Sequence, residues 1–268
     1  MRSFSHIVNL ATFPPTSDLY CAQPITLETM RIARGFAAGQ VDVVLLSAQN
    51  SEDRAIIPDY LQATDDLTRS VLDVGRFQIK RRLPLMADIL DRAYRATHSD
   101  FVIYTNIDIA LQPHFYLTID HLIESGFDSL VINRRSISTR HTQLQDIPLM
   151  FGEAGLPHRG YDCFIFRRDV LPKFDLGTTC IGASYIGKIM IVNQLLTAGH
   201  FEVFKDQHVT FHIGDDKAWR SRNLRDYEDH NRREFYEAFH RLRAAQHPLM
   251  KKYIRSDRFR RLKNWFTD

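Results

Sequence analysis

Two short apolar runs constrain this chain most. VDVVLLSAQ (41–49) and DFVIYTN (100–106) have strand length and strand composition, and neither alternates apolar with polar residues. A strand wetted on one face would alternate with period two. A continuous run instead predicts a strand covered on both faces, as in a parallel sheet packed between helices. Helical periods separate the strands. TLETMRIARGFAA repeats apolar positions at spacings of three and four, and so does LPLMADILDRAYRAT (83–97), which places Pro84 in its first turn. PHFYLTIDHLIESG does the same, with Gly126 as its C-cap. With SHIVNLA (5–11) ahead of them and FDSLVINR behind, β and α units alternate, which predicts an α/β fold with a mostly parallel central sheet flanked by helices.

The remainder is less regular. Residues 50–76 are charged and weakly patterned, predicting a loop with a short helix or two, and residues 136–159 are polar and too long for an ordinary connection, predicting a lid or an inserted element. DCFIFRR then reads as a strand, IGKIMIVNQLLTAG as a buried helix and FEVFKDQHVTFHIG as a final strand or hairpin. The expected organisation is one domain over 1–218 and a basic, aromatic helical extension over 219–268, with helical spacing in REFYEAFHRLRAA.

Composition removes several function classes. The formal charge of +3 suits an anionic ligand but falls short of a general nucleic-acid binder. Cys21, Cys163 and Cys180 lie far apart without CxxC spacing, so neither a zinc site nor a disulfide framework is expected, and a cytoplasmic location is. No export signal or membrane-spanning run is predicted. GxSxG, Walker A and GxGxxG patterns do not occur, which removes the usual serine-hydrolase, P-loop and dinucleotide readings.

Ligands of open parallel sheets bind at the carboxyl ends of the strands, so polar residues closing an apolar strand point to a site. Asn106 and Asp108 close one such strand. Taken alone, Asp108 is either a turn or cap residue before the helix near Pro113, or an oxygen donor to a hard divalent cation. In its setting the segment resembles the DxD motif of GT-A glycosyltransferases, in the variant form Asn106-Ile107-Asp108, and the likeness extends over roughly residues 5–215.

The resemblance implies a GT-A-like, Rossmann-like half that binds a nucleotide-diphosphate sugar through Mn2+ or Mg2+. Asp108 would be the principal metal ligand and Asn106 a ribose, sugar or outer-sphere contact. His212 in FHIGDD resembles the further ligand found there in many of these enzymes and leans toward Mn2+, the alternative being a strand-edge cap. A zinc pair with His208 carries little weight, since a spacing of four does not align two residues closely on a strand. Asp162 in HRGYDCFIFRRD resembles the acceptor-side acid, the base in an inverting reaction; it could equally bind hydroxyls or cap the strand. Lys80, Arg81 and Arg82, just before a helix, would attract the diphosphate unless they form a solvated loop. Asp88 could reach sugar or ribose hydroxyls, and Phe13, between Thr12 and Pro14, would lie where such enzymes cradle the base.

The expected activity is therefore sugar transfer to a glycan, lipid-linked or other hydroxyl acceptor. A non-catalytic glycan or nucleotide-sugar binding protein is the alternative, and a nucleotidyltransferase is disfavoured because ATFPPTSD lacks a Gly-rich phosphate loop. The close KKYIRSDRFRRLKNWF mixes cations with aromatics, a composition suited to peripheral contact with an anionic membrane, and HIGDDKAWRSRN is a candidate loop over the donor.

Overall fold

The computed structural model describes residues 1–158, 160–214 and 224–254. Its chain divides into two compact units, one built mainly from 1–68, 88–172 and 198–214, the other from 69–87, 173–197 and the C-terminal segment.

The first unit holds the strands β1 (Ser3–Asn9), β2 (Asp42–Ala48), β3 (Gln62–Ala63), β4 (Phe101–Thr105), β5 (Ala110–Leu111), β6 (Ser129–Ile132), β7 (Arg135–Ile137), β8 (Leu156–Pro157), β9 (Cys163–Arg167), β10 (Phe201–Phe204) and β11 (Thr210–Ile213). Seven of them form a central sheet in the order β10-β6-β9-β4-β1-β2-β3. All its pairings are parallel except those of β9, which runs antiparallel between β4 and β6. The mostly parallel α/β sheet expected from the apolar runs is present, and β4, buried at all five positions, lies inside it.

Helix α1 (Asp18–Phe36) starts ahead of its periodic stretch because Ser17 caps it, its hydroxyl accepting from the Leu19 N–H at 3.3 Å. Together with α2 (Met86–Ala96), α3 (Phe115–Glu124) and α4 (Ile147–Gly152), it is one of the helices in the chain ahead of β9. Gly126, at φ +101°, lies one residue beyond the Ser125 cap of α3, where its N–H satisfies the Ile123 carbonyl. The core of this unit gathers Phe4, Val8, Met30, Leu45, Ile103, Phe115, Tyr116, Leu130 and Ile165. His6 is fully buried in β1, its ring bonded to the Tyr116 hydroxyl and the Thr105 hydroxyl, both at 2.9 Å; burial drives its pKa down to about 3, so it stays neutral.

Two expectations need correction. FEVFKDQHVTFHIG is neither one strand nor a hairpin: β10 extends the central sheet beside β6, whereas β11 joins a second sheet in the order β5-β11-β7-β8. This second sheet also explains why the chain turns apolar again after Asp108, because Ala110–Leu111 enters it as β5, and its strands β7 and β8 bracket the long polar segment 136–159. Pro84 is not in a first turn either. Residues 84–86 spend their backbone groups on an antiparallel bridge, with Ile181 N–H donating to Pro84 O at 3.0 Å and Met86 N–H to Thr179 O at 2.9 Å, so α2 starts only at Met86.

Gly155, between α4 and β8, has φ +60°, and a Cβ there would meet the Ser136 carbonyl oxygen at 2.6 Å. Gly155→Ala should therefore cost about 1–3 kcal/mol, read as a fall in urea midpoint at constant slope; an unchanged midpoint would contradict this backbone geometry.

The second unit contains α5 (Ile186–Thr197), α6 (Arg225–Arg241) and α7 (Met250–Tyr253), around a small core of Val71, Leu85, Cys180, Leu224 and Tyr227. Asn231 stitches it: its carbonyl accepts from Cys180 N–H at 2.9 Å, and its NH2 donates to the carbonyls of Cys180 and Ser184 at 2.8 and 3.0 Å. The three thiols are free, Cys21 exposed and the others buried. Among the described residues, no helix is long and apolar enough to cross a membrane.

Charge divides between the units. Among the described residues the first carries 12 Lys and Arg against 21 Asp and Glu, and the second 14 against seven.

Candidate functional site

The antiparallel course of β9 builds the site. Cys163 pairs with Thr105 at the end of β4 and with Ile132 at the end of β6, so the residue before β9, Asp162, reaches the same sheet edge as Asn106 and Asn133. The amino end of this strand, in sequence terms, is the carboxyl end of its neighbours. Asp162 thus belongs to the edge where parallel α/β sheets bind ligands.

Beyond β4, Ile109 N–H donates to Asn106 O at 3.1 Å and closes a turn that carries Asp108. The Tyr104 hydroxyl donates to Asn106 Oδ1 at 2.8 Å, which takes one of that oxygen's two lone pairs and orients the amide NH2 as a donor for a ligand. Burial, then the charge of Asp108, keeps the Tyr104 phenol protonated well above its ordinary range.

Asp108 meets His212 of β11, with Oδ2 and Nε2 3.3 Å apart. The other ring nitrogen, Nδ1, lies 3.0 Å from the Gly214 carbonyl oxygen. A carbonyl only accepts, so Nδ1 carries a proton, and in a singly protonated ring the Nε2 lone pair would face a carboxylate. That juxtaposition is repulsive unless the ring is doubly protonated or a cation joins the two groups. A backbone carbonyl holding the far N–H is also the usual support of a metal-binding imidazole. Burial pushes the Asp108 carboxyl up, but the His212 hydrogen bond and charge, aided by Arg134, outweigh it and hold it below the usual carboxylate range. Asp108 Oδ1 is buried without a hydrogen-bond partner.

The donor set fits a hard divalent cation only in part. A separation of 3.3 Å suits two adjacent ligands of one octahedral ion, each at about 2.1 Å. No group of three or more His, Cys, Asp or Glu residues able to hold a metal occurs among the described residues. Mg2+ and Mn2+ commonly take one or two protein ligands and complete their shell with water and substrate phosphate, and the pair suits that pattern. His208 is not part of it: with φ +47° it directs Nε2 to the Glu153 carbonyl at 2.9 Å.

Asp162 is buried beside Arg134, Oδ1 to Nη1 3.3 Å, while Asp162 Oδ2, Arg134 Nε and Asn133 Oδ1 are buried without partners. Burial raises the Asp162 carboxyl above its usual range against the pull of Arg134 and His158, and the negative charge of Asp108 adds to the rise. Arg134 was missed in the sequence, although Asn133 and Arg134 close the apolar strand β6 in the same manner as Asn106 and Asp108 follow β4. Asp53 was missed as well: it is buried in the charged stretch read as a loop, and its Oδ1 accepts from Thr12 N–H at 2.8 Å.

The other candidates are placed differently. Phe13 is half-buried against the core of the first unit. Asp88 lies partly exposed in the first turn of α2. Lys80, Arg81 and Arg82 are exposed and belong to the second unit. The segment 215–223 of the expected donor loop, Trp219 included, and residues 255–268 of the tail lie outside the described residues.

No protein-family model matches the chain, and no curated protein does. Solved structures do. S. aureus TarS 1–349 in complex with UDP-GlcNAc superposes with a TM-score of 0.51 at 15% identity, over 90% of this chain and 72% of that one. Glucosyl-3-phosphoglycerate synthase from Mycobacterium tuberculosis, solved with Mn2+, UDP-glucose and phosphoglyceric acid, gives 0.49 at 16% identity, over 90% and 80%. The likeness to the TarS structure establishes the fold, and it is the GT-A-like α/β fold that the strand pattern and the Asn106-Ile107-Asp108 segment led us to expect.

Proposed function

We propose that this chain is a metal-dependent glycosyltransferase that moves a sugar from a nucleotide-diphosphate donor to a hydroxyl acceptor. The observation that carries the reading is the Asp108–His212 pair, a carboxylate and an imidazole 3.3 Å apart just beyond the end of a buried central strand, where one cation can join them. The acidic balance of the first unit points the same way, since a diphosphate approaching a net negative body needs its charge neutralised locally. That a protein of this fold was solved with UDP-GlcNAc supports a nucleotide sugar as the donor class.

Asp108 and His212 would hold Mn2+ or Mg2+, which when bound neutralises charge developing on the departing nucleotide diphosphate. Asn106 offers its NH2 to a donor hydroxyl. Asp162, at the same edge and with a free carboxylate oxygen, accepts the proton of the acceptor hydroxyl as the new glycosidic bond forms. Arg134 holds that carboxylate by its other oxygen. Phe13 and Asp88 remain candidates for base and ribose or sugar contacts, and Lys80 and Arg82 for the diphosphate. The tail of cations and aromatics is assigned peripheral membrane contact on its composition alone.

Calorimetric titration of Mn2+ into wild type and Asp108→Ala, with UDP or GDP present, tests the site. Metal-dependent nucleotide binding by the wild type alone is the expected result and identifies the nucleotide. Equal binding by both, or binding of neither nucleotide at millimolar concentration, would remove Asp108 from the site and favour a non-catalytic binding protein.

A further inference from the structure

Residues 74–82, VGRFQIKRR, form a loop of the second unit that is tied down at its backbone and at one ring. Phe77 stacks on Tyr227 of α6, centroids 4.1 Å apart and planes 8° from parallel. The Tyr227 hydroxyl donates to Ile79 O at 2.6 Å and accepts from Arg81 N–H at 2.8 Å, and the Asp226 carboxylate accepts from Gln78 N–H at 2.7 Å. A loop anchored at this many points has little freedom to fold its remaining side chains inward.

Those side chains are a mixture of aliphatics and cations. Ile79 is 43% and Val74 36% exposed, and between and after them stand exposed Arg76, Lys80, Arg81 and Arg82. The charge of Asp73 acts on Arg82 and Arg69, and Asp226 is committed to the Gln78 amide. The unit as a whole has twice as many cations as acids among its described residues.

We propose that this loop docks the second unit on an anionic phospholipid bilayer, with Ile79 and Val74 entering the headgroup–acyl boundary and Arg76 and Arg81 meeting lipid phosphates. Cations interleaved in sequence with exposed aliphatics match the two layers of such an interface. A nucleic acid or soluble polyanion fits less well: it has no use for exposed Ile79 and Val74, and the loop's aromatic ring, which could stack on a base, is already committed to Tyr227. The inference stands on described residues and does not depend on the tail or on the transferase reading.

The test is co-sedimentation of the full chain with vesicles of phosphatidylcholine alone or of an equal mixture with phosphatidylglycerol, for wild type, Ile79→Ser and Arg76→Glu. Wild type should bind the mixed vesicles only, and each variant should bind them about tenfold more weakly. Both substituted side chains are exposed, so the variants should fold and keep any Mn2+-dependent nucleotide binding. Absence of binding to mixed vesicles overturns the proposal. So does binding unchanged by both variants, which would move the contact to the tail, and so does a loss in Arg76→Glu alone accompanied by equally strong binding to heparin, which would identify a polyanion site.

Discussion

Asp108→Asn should lower donor turnover by about three orders of magnitude or more, the several kcal/mol that metal-assisted charge neutralisation contributes to such a step. Asn keeps the size of the side chain and an oxygen toward His212, but it removes the negative charge that makes the pair a cation site. His212→Ala should cost less, about ten- to a hundredfold, because a carboxylate and substrate phosphates can still hold the ion. The ordering separates the metal reading from a plain Asp–His ion pair, in which either change would have similar effects. Release of UDP or GDP from whichever nucleotide sugar the wild type consumes is the assay, with far-ultraviolet circular dichroism as the check on folding. An Asp108→Asn enzyme within tenfold of wild type would end the assignment.

Arg134→Met should destabilise the first unit by about 3–5 kcal/mol at neutral pH, since it leaves the Asp162 carboxylate buried without its cation. The sign of the pH dependence follows from linkage. The folded Asp162 pKa is raised above its unfolded value, so the native state binds more protons in the window above the ordinary carboxylate pKa, and stability falls as pH rises through that window. Removing Arg134 widens the window upward. The deficit of Arg134→Met should therefore shrink as pH is lowered toward the ordinary carboxylate pKa, and adding Asp162→Asn should recover much of it at neutral pH. Urea unfolding across pH measures both; a deficit that does not change with pH would mean that Arg134 acts through packing alone.

Part of this architecture was legible along the chain because burial on both faces leaves a local mark. The runs that became β2 and β4 need no partner to be recognised: four consecutive apolar residues at their centres mark strands covered on both faces. The same holds for the helical periods and for the polar closure at Asn106 and Asp108. The second sheet was not legible. Its strands are two to four residues long, drawn from positions 110 to 213, and a two-residue strand has no period to detect.

The site shows the same division. Asp108, His212 and Asp162 could be nominated from residue type and from position near a strand end. What makes them a group is pairing between segments far apart in the chain: β11 carrying His212 to Asp108, and antiparallel β9 carrying Asp162 to the ends of β4 and β6. Strand direction is a property of the sheet, and no residue of DCFIFRR encodes it alone. The charge pattern is likewise tertiary. The net charge of the whole sequence conceals an acidic unit and a basic one, and the basic one is assembled from three separated segments. Sequence by itself determined which stretches are buried and which residues can do chemistry, because hydrophobic period and side-chain type are local. Which of those residues meet, and which surface gathers the cations, was decided only by tertiary structure, because both depend on contacts between residues distant in sequence.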